Sequence, residues 1–255
     1  MPLYTSESII LKTSDFSENK RIVIFFTEKK GKVPVVVRKS KSKKFNFAAI
    51  EPTTLCRVTY FGKENVQLFR FSNSEIINYY LPLKSSLTLL NYSSCFSEII
   101  LYLVRDFDPN KYIFETYKNF LKSLIEFKDE SNTINLIFFI SLIQVYKSIG
   151  IYSEINDLCH MCKIKIDGNK KVFIVERGVV CNECIKKGNY YNKSEVSASS
   201  IMFLKTLGNS KFHVSTKLNI NPQSRREIFD YLISVYKNYT NREINSLKVF
   251  REIIR

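Results

Sequence analysis

Over the first 75 or so positions apolar residues alternate with polar ones; beyond them the apolar spacing lengthens to three and four. Short β-branched and aromatic runs at residues 8–12, 21–27, 33–38, 53–60 and 66–71 each read as a half-buried strand. Lys29-Lys30-Gly31-Lys32 and Phe61-Gly62-Lys63-Glu64-Asn65 punctuate them, and Gly31 and Gly62 each supply the positive φ such hairpins often require. Five strands with no long helix among them predict a small barrel. An OB-fold is the commonest five-stranded choice, with an SH3-like barrel as its rival.

The later pattern is helical. Leu87, Leu90, Ser94 and Ser97 share one track, with Tyr102 and Val104 further on. Tyr112, Ile113, Tyr117, Phe120, Leu121, Leu124 and Ile125 share another, with Pro109 placed for a first helical position between the two. Residues 131–149 are apolar nearly all round, as in the central helix of a bundle, and Gly150 follows as a stop. Residues 157–197 form a cysteine-bearing insert with a strand at 171–176. Helices resume at 199–207 and 224–239, and a last piece spans 244–254. The expected architecture is therefore α+β: an OB-fold barrel over residues 1–80, then a helical domain over 81–255 with the insert inside it.

Charge changes this picture by its distribution. The net charge is +15, but Lys, Asn, Ile, Phe and Tyr abound while Gly, Ala and Pro are scarce, so codon bias alone can raise lysine. By segment the balance is +7 for residues 1–80, zero for 81–150, +2 for 151–200 and +6 for 201–255. Uniform bias would not leave a neutral middle, so the ends carry a basic surface suited to a polyanion. No signal segment precedes the first strand, and the most apolar stretch, residues 134–146, is shorter than the roughly 20 residues of a membrane span. The expectation is a cytoplasmic, nucleoid-associated protein with no membrane partner. Collagen-like, coiled-coil and disulfide-dense classes are excluded by composition.

Four of the six cysteines form Cys159-His160-Met161-Cys162 and Cys181-Asn182-Glu183-Cys184, separated by 18 residues. That spacing predicts a structural Zn2+ held by Cys159, Cys162, Cys181 and Cys184, because two tight turns each present two thiolates to one tetrahedral ion. A filled four-thiolate shell leaves no open position for water, so zinc hydrolysis is disfavoured. His160 reads as an exposed or supporting histidine and His213 as a surface one. Cys56 and Cys95 read as small buried hydrophobes. Without a G-x-S-x-G, Walker or G-x-G-x-x-G pattern, nothing nominates a catalytic residue, and no enzyme is expected.

The densest charge run is Arg38-Lys39-Ser40-Lys41-Ser42-Lys43-Lys44, followed by Phe45 and Phe47. A loop with five cations in seven residues stays solvated, and along a phosphate backbone it would release counterions. Arg38, Lys39, Lys41, Lys43 and Lys44 are the primary candidate DNA contacts, while the two Phe read as re-entering the core. Arg225 and Arg226, opening a late helix, form a weaker second patch.

In this order the features resemble the RecO family of bacterial DNA repair and recombination mediators over essentially the whole chain. The resemblance is carried by Glu7-Ser8-Ile9-Ile10-Leu11-Lys12 with Ser17-Glu18, by Phe26-Thr27-Glu28 before Gly31-Lys32, and by the Lys-Ser-Lys loop from Lys39. Glu51-Pro52, Ser97-Glu98-Ile99-Ile100, Ile149-Gly150-Ile151-Tyr152, Gly178-Val179-Val180-Cys181 and Ser246-Leu247-Lys248 continue it. Two positions depart from the family habit: Lys163 follows the first cysteine pair where glycine is frequent, and Arg177-Gly178 stands for two glycines. The resemblance implies binding of single- and double-stranded DNA and annealing of complementary strands. It also implies binding to the C-terminal tail of single-strand-binding protein and joint action with RecR, which together help RecA onto covered DNA. Some members of the family lack the cysteines, so zinc is not the shared chemistry. A zinc-stabilised RNA- or ribosome-associated OB-fold module is the alternative that barrel and charge equally allow.

Overall fold

The computed structural model describes residues 1–38, 50–63, 66–153, 155–166, 171–210 and 218–247. Five strands, β1 (Leu3–Ser17), β2 (Lys20–Thr27), β3 (Gly31–Arg38), β4 (Leu55–Phe61) and β5 (Phe69–Asn78), close into a barrel of order β1-β2-β3-β5-β4. All pairs are antiparallel except β3 with β5. Alternation fills the interior: Val23 and Phe25 on β2, Val33, Val35 and Val37 on β3, and Val58, Tyr60 and Phe69 opposite them. The expected barrel is present, and its strands run further than the alternation shows. β1 begins at Leu3, and β5 continues to Asn78 through the point where the period seemed to change. Their extra length is backbone pairing, with β4 at the start of β1 and along β5 and with β2 at the end of β1, which side-chain periodicity does not register.

By compactness the chain falls into two units, Met1–Ile125 with the described residues from Ile244 on, and Glu126–Glu243. In the first unit the barrel is packed with α1 (Leu81–Lys84), α2 (Leu87–Leu103) and α3 (Lys111–Glu126). The β2–β3 turn sits against the loop after α2: Phe107 N–H donates to Lys32 O at 3.0 Å, and Lys32 Nζ meets Leu101 O at 2.6 Å and Asp106 at 3.2 Å. Gly31, at φ +65, has no room for a side chain, since a Cβ would lie 2.2 Å from Asp108 O. Lys118 on α3 reaches Glu7 on β1 at 2.7 Å, and the Phe26 and Phe114 rings meet at 5.8 Å. Asn245 N–H and Ser246 N–H both donate to the Glu98 carboxylate, at 2.8 and 2.9 Å. Residues 248–254 of the last predicted piece lie outside the described residues.

Two details differ from expectation. The predicted track on α2 is inward only at Ser97: Leu87 is 68% exposed and Leu90 also faces solvent, and the buried side carries Leu89, Tyr92, Cys95, Phe96, Ile99 and Ile100. This helix is apolar on most sides, so spacing alone does not choose a face. Pro109 does not open α3; Asn110 caps it, its side chain accepting from Ile113 N–H at 3.0 Å. Cys56 and Cys95 are buried as expected, and burial pushes the Cys56 thiol up to about 11.

The second unit is built on α4 (Ser131–Ser148), followed by Gly150 at φ +75. A three-stranded antiparallel sheet, β6 (Lys171–Val175), β7 (Gly178–Cys181) and β8 (Ser194–Ser197), has order β7-β6-β8, with α5 (Asn182–Lys187) between β7 and β8. Then come α6 (Ala198–Asn209) and α7 (Pro222–Thr240), both packed on α4. Glu227 of α7 accepts from Ser197 N–H, Ser197 Oγ and Ser200 Oγ, each at 2.7 Å, and so ties the start of α6 to α7. Among the described residues no helix is long and apolar enough to cross a membrane.

Replacing Gly31 by Ala should destabilise the protein by more than about 2 kcal/mol, from left-handed strain plus the overlap with Asp108. Thermal unfolding checks this. Glu227 yields a pH prediction. Burial alone would raise its carboxyl pKa, but the Ser197 and Ser200 donors hold it below the ordinary 4.5. Its contribution is therefore full above about pH 4.5 and is lost as pH falls through the lowered folded value. Glu227→Gln should be less stable by about 1 kcal/mol at pH 7, and the difference should shrink below pH 4.5 in denaturant titrations.

Candidate nucleic-acid face and metal centre

The odd-numbered residues of β2 and β3 fill the barrel, so the even-numbered ones point outward. Cross-strand register then assembles an outer face. Lys20 pairs with Arg38, Ile22 with Val36 and Ile24 with Pro34 across β2–β3. Lys12 and Ser14 join from β1, opposite Ile24 and Ile22, and Arg70 joins from β5, opposite Val36. The result is an aliphatic strip, Ile22, Ile24, Pro34 and Val36, with Lys12, Lys20, Arg38 and Arg70 around it. None of these four cations has a carboxylate partner among the described residues. Phe16, at a bulge in the β1–β2 hairpin, is 61% exposed beside Lys20. This is the side of an OB-fold, strands 2 and 3, on which oligonucleotides lie.

Of the predicted DNA contacts, Arg38 is at the exposed end of β3 on this face. Lys39, Lys41, Lys43 and Lys44, with Phe45 and Phe47, lie outside the described residues, as does His213. Lys12, Lys20 and Arg70 were not singled out from the sequence. Lys20 shares the parity of Ile22 and Ile24 and was legible as outward-facing; Arg70 enters only through the parallel β3–β5 pairing, which no local pattern announces. Arg225 and Arg226 belong to the other compact unit, in the first turns of α7 behind the Asn221 cap. Arg226 is exposed, whereas Arg225 is half-buried, with its Nε out of contact with water. Two cations there oppose the positive end of the helix dipole.

The four predicted ligands come together. The Sγ atoms of Cys159, Cys162, Cys181 and Cys184 lie within 4.8 Å of one another and can hold a metal ion. The first pair sits in a tight turn, where Lys163 N–H donates to Cys159 O at 3.0 Å and Cys159 N–H to Ile164 O at 2.9 Å. Lys163 takes φ +61, the left-handed conformation for which glycine is the easy choice. The second pair straddles a strand-to-helix junction, Cys181 ending β7 and Cys184 on α5. His160 N–H donates to Val179 O at 2.7 Å, stitching the turn to β7, and the His160 side chain is exposed. Burial works against ionising Cys159, but the N–H groups of Cys162, Cys181 and Met161 overcome it and hold the thiol at about 6. Hydrogen bonds with Cys181 and Cys162 push Cys184 up to about 12. Cys159, Val175, Val180 and Ile185 form a small core beneath, against which Phe173 and Tyr190 pack.

Two family models match the chain: Recombination protein O N terminal over residues 1–80 and Recombination protein O C terminal over residues 84–248. Among curated proteins, the DNA repair protein RecO of Clostridium novyi is 25% identical over 255 residues, covering 100% of this chain and 96% of its own. That of Clostridium perfringens is 27% identical, covering 99% of each. That of Bacillus pumilus is 25% identical, covering 98% of this chain and 94% of its own. With a barrel bearing a cationic outer face, a helical part and a four-cysteine cluster in the order these models span, the chain belongs to the RecO family of DNA repair proteins.

Proposed function

We propose that this protein binds single- and double-stranded DNA, anneals complementary strands and, together with RecR, helps load RecA on DNA covered by single-strand-binding protein. Its family membership across both models supports this reading, and the observation that carries it is the outer barrel face. Four cations without carboxylate partners around a flat aliphatic strip suit a backbone-tracking role. They neutralise phosphates without reading bases, so two strands held this way remain free to pair. Residues 1–80 act as the DNA-binding domain on this reading, and Lys39, Lys41, Lys43 and Lys44, which follow Arg38 in sequence, are further candidate contacts. Arg225 and Arg226 supply a second patch. The acidic C-terminal tail of single-strand-binding protein is a further partner, and the protein works without catalysis at the nucleoid.

The metal on this reading is Zn2+. Tetrahedral thiolates at about 2.3 Å from zinc stand about 3.8 Å apart, and Cys162 and Cys181 Sγ are 3.8 Å apart. Cys159, Cys162, Cys181 and Cys184 would hold the ion, which crosslinks the first turn to the β7–α5 junction and has no position left for a reacting group.

Three outcomes test the reading. The protein should speed annealing of complementary strands coated by single-strand-binding protein; absence of any acceleration would remove the annealing role. Changing Lys39, Lys41, Lys43 and Lys44 to Ala should weaken single-strand binding and reduce the slope of log affinity against log salt by about 3. Freshly purified protein should carry one zinc per chain, and Cys159→Ser with Cys162→Ser should lose it together with several kcal/mol of stability of the insert, about 2–5. Metal analysis and chelator titration check the last.

A further inference from the structure

Beside the cysteine cluster lies a cleft of about 390 Å³, with His160, Arg177, Tyr190, Tyr191 and Asn192 along it. Tyr190 is fixed there. It packs against the core under the cysteines, and its ring lies across Gly188, where a Cβ would come within 2.5 Å of it. Tyr191 is the opposite case: a large aromatic that is 99% exposed, with no apolar surface covering it. Met161 and Ile164, on the first cysteine turn, are also exposed. Folding explains Tyr190; it does not explain Tyr191.

Charge identifies what this surface takes. Among the described residues of the insert, Asp157 is paired with Lys205, Glu195 with Lys171 and Glu183 with Lys186. Lys163, Arg177, Lys187 and Lys193 have no such partner among the described residues, while Lys165 acts on Asp157. The remaining carboxylate, Glu176, lines the cleft and accepts from Asn192 at 3.4 Å. Arg177, without a carboxylate partner among the described residues, shares the cleft with the exposed Tyr191 ring and one side of Tyr190. A cation beside aromatic rings is the equipment of a single-strand binder, in which phosphates meet Lys and Arg and bases stack on aromatics. A second, smaller cleft of about 210 Å³, lined by Tyr231 and Tyr239 of α7, shares Val175, Glu176 and Asn192 with it.

We propose that this cleft is a second DNA site, in which splayed bases of single-stranded DNA stack on Tyr191 and Tyr190 while Arg177 holds a phosphate. The inference rests on the DNA-binding reading above and adds to it a division of labour. The barrel face, aliphatic and cationic, accepts a backbone from either a single strand or a duplex. The cleft accepts only unstacked bases, because a duplex keeps its base faces covered. Tyr191 thus biases the protein toward single strands and toward duplex ends where bases are about to pair.

The chain has no tryptophan, so Tyr191→Trp places a sole indole at the site without touching the core. With the full chain, a labelled oligothymidylate should bind and quench that indole, while an abasic oligomer of equal length and a duplex should bind without quenching it. In parallel, Tyr191→Ala with Arg177→Ala should weaken oligothymidylate binding about 5- to 100-fold and leave duplex affinity within about twofold. Saturation by oligothymidylate with the indole unchanged, or equal quenching by the abasic oligomer, would overturn the cleft site and leave DNA binding by the barrel standing. If no oligonucleotide binds the wild-type chain at all, the DNA-binding reading fails first and this one with it.

Discussion

Strand β1 has more hydrogen-bonding length than either neighbour, and the barrel depends on how that length is divided. Its first part pairs with β4 from Leu3 to Ile9, and its second pairs with β2 from Ser8 to Ser17. The register slips at Leu11, where the strand bends from one partner to the other, and Leu11 itself is buried. One strand thereby closes the sheet, which removes the open edges a five-stranded ribbon would otherwise present to other chains. Closure also decides the surface. Helix α3 meets the barrel at Glu7 on β1 and at Phe26 near the end of β2, and Lys20–Ile24 of β2 with Pro34–Arg38 of β3 lie beyond those contacts.

Charge in this protein sorts into groups that hold the fold and groups that do not. Lys32, Lys84 and Lys118 each reach across to another element and finish on a carboxylate or carbonyl. Glu98 and Glu227 do the same from the acidic side, each collecting donors that a helix or loop start leaves without partners. Lys12, Lys20, Arg38 and Arg70 on the outer barrel face have no such duty among the described residues. A net charge of +15 is thus less informative than the subset left over after structural pairing. Among the described residues of the insert the same subtraction leaves Arg177 and Glu176 in the cleft with Tyr190 and Tyr191.

Much of this was legible in residue order. The alternation at residues 21–27 and 33–38 located β2 and β3 nearly to the residue, and the cysteine spacing picked out four thiols that do converge and could hold a metal ion. The helix at 131–149 was legible because it is apolar all round and ends on Gly150. The face of α2 was not, since Leu87 and Leu90 are as apolar as Leu89 and Phe96 and only packing separates them. Nor was the cap of α3, where Asn110 outcompetes Pro109 by satisfying an N–H that proline cannot reach. The left-handed Lys163 shows that a turn can keep its geometry when glycine is replaced, at a cost of about 1 kcal/mol that the surrounding hydrogen bonds offset.

By itself the sequence determined the element types, the barrel class, the convergent cysteine quartet and the uneven distribution of charge. All of these follow from local periodicity or from short fixed spacings. Tertiary structure decided which lysines are free, because pairing joins residues as distant as Glu7 and Lys118. It decided that Arg70 stands beside Val36, because β3 and β5 meet only when the barrel closes. It also decided that Tyr190 is clamped while Tyr191 is bare, two adjacent and identical side chains whose difference is nothing but the surface each one meets.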